Sequence, residues 1–263
     1  MNSFARALWR VAALGALSVL SLQLYFVARV ALMAVIDPQS TSLQRSEAWR
    51  LLTTQRSPAW SQQWVPLERI SPNLQRAVIA SEDASFVEHS GVEWDALERA
   101  WERNQRAEAR VEKVNEQVDQ RVKKAGASKG VPVQAATRAE PKVVGASTIT
   151  QQLAKNLFLG GERSLLRKGQ EFAITFMLEG LLDKRRILEI YLNNVEWGEG
   201  VFGAEAAARH YFHAGADRLG AMQAARLAVM LPAPKRFEKR PGSAYVAGRA
   251  GTIGARMGAV ELP

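Results

Sequence analysis

The chain has 263 residues, enough to bury a large core as one domain or as one domain with an appendage. Its 35 Lys and Arg against 26 Asp and Glu leave a formal charge of +9, a balance that favours an anionic partner such as nucleic acid, an anionic membrane face or a phosphorylated substrate. There is no cysteine, which excludes disulfides and thiolate metal sites and leaves the redox compartment open.

Residues 11–28, VAALGALSVLSLQLYFVA, carry no charge. As a helix they reach roughly 27 Å, close to the thickness of a hydrocarbon core. Ala31 to Ile36 lengthen the span if Arg29 snorkels to an interface. Arg6 and Arg10 precede the run, so the positive-inside rule places residues 1–10 in the cytoplasm and everything beyond about Asp37 outside. Ala28-Arg29-Val30 makes a poor cleavage site, so residues 11–36 read as an uncleaved single-pass anchor rather than a signal peptide or a buried core helix. Residues 37–65 are polar and read as a connector, with Trp49, Trp60 and Trp64 suited to the membrane interface.

The folded domain is expected over residues 66–263, predominantly α-helical, single and without internal repeats. Ser71 as N-cap and Pro72 at the first helical position open a helix whose apolar side is Leu74, Val78 and Ile79. Glu82 and Asp83 fall where this helix ends, the less favourable end for anions. Such a pair, with Phe86 and His89 close behind, is either solvated charge or a functional group on a loop; alone it reads as surface charge. Residues 102–142 are densely charged and almost free of large apolar side chains, apart from a thin stripe of Val111, Val114, Val118 and Val122. They read as a short exposed helix followed by a disordered tail.

From Gly145 the helical signals return. Ser147 or Thr148 can cap ITQQLAKN, a helix is expected from about Ser164 to Leu182, and Asp183 caps KRRILEIYLN. Gly198, Gly200 and Gly203 mark a loop before AEAAARHYF, and Ala221 to Leu231 form one more apolar helix closed by Pro232 and Pro234.

Three of these stretches carry polar groups beyond what a helix needs. In ITQQLAKN, Ile149 and Leu153 face the core, while Gln151, Gln152 and Lys155 lie on another side, offering amides and a cation to a sugar hydroxyl or a phosphate oxygen. An amphipathic helix with an ordinary polar face fits as well. Arg163, Arg167, Lys168 and Glu171 line the next helix. They are either intrahelical ion pairs or, with Lys155, a cation cluster for a diphosphate leaving group, with Glu171 positioning the cations or helping to bind a divalent metal. In KRRILEIYLN, Ile187, Leu188 and Tyr191 form a core stripe, and Asn193 with the following glycines could approach a ligand.

In this order, AVIASEDASFVEHSG, GASTITQQLAKNLF, RKGQE, RRILEIYLNNVEWGEGVFGAEAAARHYF and LAVMLPAPKRF resemble the peptidoglycan glycosyltransferases of family 51, the transglycosylases that polymerise lipid II. The similarity runs from about Leu67 to Phe237, and the long GASTITQQLAKN run is its most specific part. The resemblance implies a mainly α, lysozyme-like domain with a membrane-proximal lobe, behind an anchor in the bacterial cytoplasmic (inner) membrane and on its outer, periplasmic face. It implies Glu82 as the general base that takes the proton from the acceptor's 4-hydroxyl, with Asp83, Phe86, His89 and Gly91 completing that motif. Ser147, Thr148, Gln151, Gln152, Lys155 and Asn156 match a motif whose polar side lines the cleft. Lys155, Arg167 and Lys168 match the donor's pyrophosphate site, and Glu171 the second glutamate.

No cofactor is required by the sequence, although many family members respond to a divalent cation, Mg or Mn, here expected near Glu171. The implied partners are lipid II, the growing glycan strand, the membrane and other cell-wall synthesis proteins. Nucleic acid is not among them, because the basic residues fall beside an anchor and a cleft.

The chain departs from the family pattern in three places: Glu93 stands where Asp is common, Gln223 where Glu usually opens a helix, and the 102–142 segment is longer than usual. Two other classes fit a membrane-tethered helical domain: a lysozyme-like lytic hydrolase and a non-catalytic cell-wall scaffold. A bifunctional enzyme is not expected, since neither Ser-x-x-Lys nor Lys-Thr-Gly occurs. Inverting transfer needs a base on the acceptor face and a stabilised leaving group opposite, and a diphosphate leaves without a proton if cations neutralise it.

Overall fold

The structure is a computed structural model that describes residues 3–54, 59–126, 145, 147–162 and 164–263. It divides into two compact units, one formed by residues up to 92 together with 148–263, the other by residues 93–147. The first unit opens with α1 (Ser3–Leu32), α2 (Ser42–Thr54), β1 (Ser61–Gln62) and α3 (Pro72–Glu82). In the second unit the described element is α4 (Trp94–Gly126). The first unit resumes with α5 (Ile149–Phe158), α6 (Leu165–Leu181), α7 (Lys184–Asn194), β2 (Glu196–Gly198), β3 (Val201–Phe202) and α8 (Ala204–Phe212). It closes with α9 (Ala221–Met230), α10 (Pro234–Phe237) and α11 (Ala244–Arg256).

Within the first unit, α3 and α11 pack on α9, and α5 packs on α6 and α7. The core is apolar and closed: Leu74, Val78, Ile79, Ile149, Leu153, Ile174, Leu178, Leu188 and Leu227 are all buried. Alanines at 206–208, 224, 225 and 228 let α8 and α9 approach their neighbours closely. The expected caps are in place: Ser71, Ser164 and Asp183 accept from Asn73, Arg167 and Arg186 amides, each replacing a lost intrahelical bond and worth about 1 kcal/mol. Thr148 rather than Ser147 caps α5, in a reciprocal arrangement with Gln151.

α1 is one apolar helix long enough to cross a membrane, over Phe4–Leu32. Only 6% of its apolar window is buried, so it is not the core helix of a soluble domain.

Four features differ from the sequence reading. The stretch read as a connector is folded: α2 packs on α5 and buries Gln44, Glu47 and Leu51, and β1 pairs in parallel with β3. The glycines read as a loop shape a β2–β3 hairpin, giving sheet order β1-β3-β2. Gly200 sits there at φ 71°, where a Cβ would fall 2.1 Å from the Ala59 carbonyl oxygen. The helix expected in the charged segment is not short; α4 starts at Trp94 and runs 33 residues, while the tail expected beyond it lies outside the described residues. Finally, the chain does not stop being helical after α9, since α11 follows, capped by Ser243 and burying Val246, Ala250 and Ile253.

Candidate active site

The site forms where the end of α3 meets the start of α5. Glu82 is the last residue of α3 and Asp83 its C-cap. Asp83 is not a solvated charge: it is buried, and its Oδ2 accepts from the Ile149 amide at 2.9 Å, in the first turn of α5. An anion that seemed misplaced at one helix's negative end thus lies at the positive end of another. Asp83 Oδ1 pairs with His89 Nε2 at 2.7 Å, and the Gly91 amide donates to His89 Nδ1 at 3.1 Å. The ring proton therefore sits on Nε2 and is donated to Asp83.

The 83–91 loop is held from several sides. Phe86 is fully buried beneath the Lys184 ammonium, 4.5 Å from its ring centre, and Lys184 Nζ also donates to the His89 carbonyl at 2.6 Å. Thr148 Oγ1 donates to the Gly91 carbonyl at 2.6 Å. Gly91 has φ 87°, and a Cβ there would lie 2.7 Å from Thr175 Cγ2, so this turn admits only glycine without strain. Asp83, Phe86, His89 and Thr148 consequently build the loop that presents Glu82, and Asp83, Phe86 and Thr148 are themselves buried.

Glu82 Oε2 accepts from Gln152 Nε2 at 2.9 Å, and Oε1 accepts from Ser81 Oγ at 3.2 Å. The Tyr191 hydroxyl donates to Gln152 Oε1 at 3.0 Å, which fixes the amide so that its NH₂ faces the carboxylate. Burial pushes the Glu82 carboxyl above its ordinary value; Asp83 adds to this, while Gln152, Ser81 and the Lys155 charge oppose it. A carboxylate oriented by two donors yet partly stripped of water is a competent proton acceptor near neutral pH. Burial, with the charges of Glu82 and Asp83, also pushes the Tyr191 phenol well up, so it stays a neutral donor.

Further along α5, Gln152, Lys155 and Asn156 line an open cleft of about 490 Å³ together with Arg167, Glu196, Leu43 and Ser46. The Lys155 side chain is exposed within it, yet its pKa is lowered, first by burial among the cleft walls and then by Arg167 and Lys168; Glu171 and Glu82 pull the other way. Glu171 is buried and holds both neighbours, accepting from Arg167 Nη1 at 3.0 Å and pairing with Lys168 Nζ. The Arg167 Nε has no hydrogen-bond partner among the described groups, leaving a donor to spare. Lys155 and Arg167 thus line the cleft, and Glu171 ties Arg167 to Lys168 on α6, so these four groups together carry a net positive charge.

The expected residues do not all converge. Gln151 is buried and serves the cap of α5, accepting from the Thr148 amide, so it does not line the cleft. Ser147 is exposed and belongs to the other unit, and Arg163 lies outside the described residues. Among the described residues no three His, Cys, Asp or Glu side chains gather as a metal cage. Gln223 substitutes for a capping group, its Oε1 accepting from the Gly220 amide at 3.0 Å.

Sequence reasoning missed Tyr191, which it assigned to a core stripe; the ring is indeed buried, and only its hydroxyl reaches the site. It also missed Lys184, Glu179 and Thr150, which brace the loop through Lys184–Glu179 at 2.9 Å and Thr150–Glu179 at 2.5 Å.

A family model described as Transglycosylase matches residues 49–113 and 125–258 of this chain. A biosynthetic peptidoglycan transglycosylase of Burkholderia thailandensis is 52% identical over 244 residues, covering 93% of this chain and 83% of the relative. One from Paraburkholderia xenovorans is 47% identical over 259 residues, covering 98% and 94%. By the extent of the family match and this level of identity, the chain belongs to the transglycosylase family.

Proposed function

We propose that this peptidoglycan transglycosylase polymerises lipid II into glycan strands by inverting transfer. The observation that carries the reading is the Tyr191–Gln152–Glu82 chain of hydrogen bonds leading to a desolvated carboxylate, with Gln152 also lining the cleft walled by Lys155 and Arg167. Glu82 takes the proton of the acceptor's 4-hydroxyl as that oxygen bonds to the donor's C1. The bond from C1 to the diphosphate oxygen breaks on the opposite face, and its electron pair leaves with the diphosphate. Lys155, Arg167 and Lys168 neutralise that charge, so no proton donor is needed. Glu171 holds Arg167 and Lys168 in place rather than meeting the sugar. A lytic enzyme needs an acid at a glycosidic oxygen and has no use for this cation cluster.

Glu171 accepts from Arg167 and pairs with Lys168, so a divalent cation there would share its carboxylate with two cations that repel it. Neutralisation of the leaving group therefore falls to the side chains. α1 serves as a single-pass anchor in the cytoplasmic membrane, holding the catalytic unit on the outer face beside its lipid-linked substrate, where other cell-wall synthesis proteins are its partners. Incubating the full chain in lipid vesicles with lipid II, and separately with finished glycan, tests the reading. Growth of glycan from lipid II with no shortening of finished strands is expected; cleavage of finished glycan without polymer growth would overturn it in favour of the lytic class.

A further inference from the structure

α1 is more than a tether, because one of its faces is docked. Phe26 and Val30 are buried, as is Met33 just past the helix end, and with Gln23 they recur at spacings of three, four and three residues down a single face. That stripe lies against α6 and the end of α5. Phe26 meets the Phe158 ring edge-on at 5.3 Å, and Arg186 Nε donates to the Met33 carbonyl at 2.7 Å. Gln23 and Gln170 exchange both of their amide hydrogen bonds, Gln23 Nε2 to Gln170 Oε1 at 2.8 Å and Gln170 Nε2 to Gln23 Oε1 at 3.1 Å.

Gln23 lies six residues before Arg29, so it sits about 9 Å deeper along the helix. A polar side chain at that depth in a spanning segment is costly unless paired. A two-way amide pair is also directional, since sliding one helix past the other by a single residue breaks both bonds. Its partner is the residue next to Glu171 on the helix that carries Arg167 and Lys168. The first turn of that helix exposes Leu165 and Leu166 to 92% and 88%, apolar side chains suited to lipid.

We propose that the Gln23–Gln170 pair is a positioning device: it fixes α6 at one height along the anchor, so that Arg167 and Lys168 meet a diphosphate at the level where a membrane-embedded donor presents it. The glutamines touch no substrate; they act through α6. The inference rests on the proposed lipid-linked substrate.

The test uses the full chain in vesicles, with two donors: long-chain lipid II in the bilayer and a short-chain, water-soluble analogue of it. For Gln23→Leu, kcat/KM on the bilayer donor falls on the order of tenfold to a hundredfold, the range for small misplacements of binding groups, while the rate on the soluble analogue stays at the wild-type level. Gln23→Leu combined with Gln170→Leu also stays low on the bilayer donor, because an apolar contact lacks register. Gln23→Asn, with an arm one carbon too short, supplies the same comparison should the leucine variant fail to fold.

Equal losses on both donors would show that the pair merely stabilises the fold and would overturn the proposal. So would an unchanged Gln23→Leu, or full recovery in the double variant. A wild-type protein inactive on both donors would sink the function beneath it, whereas an active wild type with indifferent variants sinks the positioning role alone.

Discussion

Replacing Tyr191 by Phe removes one oxygen from the far side of the base. The ring is 1% exposed, so water cannot take the place of the hydroxyl, and Gln152 Oε1 is left without its donor. An unsatisfied buried acceptor costs about 1–3 kcal/mol. Free of Tyr191, the amide can turn its oxygen toward Glu82, which repels the carboxylate instead of orienting it. At 1.36 kcal/mol per factor of ten, kcat/KM for lipid II polymerisation is expected to drop about tenfold to a hundredfold.

The pH profile separates this from general damage. Gln152 donation is the first of the contacts that hold the Glu82 pKa down against burial. Weakening it raises that pKa further, and because the base must be deprotonated to act, the acidic limb of kcat/KM moves to higher pH. Rates measured from acidic to neutral pH, beside a circular-dichroism melt, read out both effects. A folded Tyr191→Phe enzyme with wild-type rate and limb, or a uniform loss with no movement of the limb, would refute the relay.

Lys155→Ala should cost about 2–4 kcal/mol of transition-state stabilisation, seen as a fall in kcat of about thirtyfold to a thousandfold in single-turnover polymerisation, and a variant within threefold of wild type removes it from the leaving-group site. Burial pushes Glu196 up to about 7, against Lys235 pulling it down. A carboxyl whose folded value exceeds its unfolded value of 4.5 binds protons more tightly when folded, so its contribution to stability declines as pH rises from 4.5 to about 7. Glu196→Gln should therefore stabilise the protein at pH 8 by on the order of 1–3 kcal/mol, with the gain gone below about pH 4.5, and urea melts at the two pH values check the sign. Gly91→Ala must place a Cβ against Thr175 and Glu179 at φ 87° and should lower stability by about 1–3 kcal/mol, measured as a reduced melting temperature.

The mainly α class and most helix starts were legible because caps and apolar spacing are local signals: Ser71, Thr148, Ser164 and Asp183 each sit where the pattern put them or one residue away, while the lysozyme-like architecture was implied only by the family resemblance. α2 was not legible, because it docks through polar groups: Gln44 bonds Asn194, and Glu47 is paired with Arg50 and Lys235, so no apolar period marks its inner face. α11 was hidden by Gly248, Gly251 and Gly254, although Val246, Ala250 and Ile253 with the Ser243 cap carry the helical spacing. In the candidate site, Glu82, Gln152, Lys155, Arg167 and Glu171 were singled out through motifs, whereas Tyr191 and Glu179 belong to helices whose spacing speaks only of packing. Gln151 shows the converse: a motif position whose side chain is spent on capping α5.

The central claim is that the Glu82 carboxylate removes the acceptor's proton. The most direct measurement is the single-turnover rate of lipid II polymerisation by Glu82→Gln in vesicles, a substitution that preserves shape and removes only basicity. The account predicts a folded protein that still binds lipid II and whose rate has fallen by at least about 10²–10⁴-fold, the span of general base catalysis. A folded Glu82→Gln enzyme that makes glycan at near wild-type rate would contradict it.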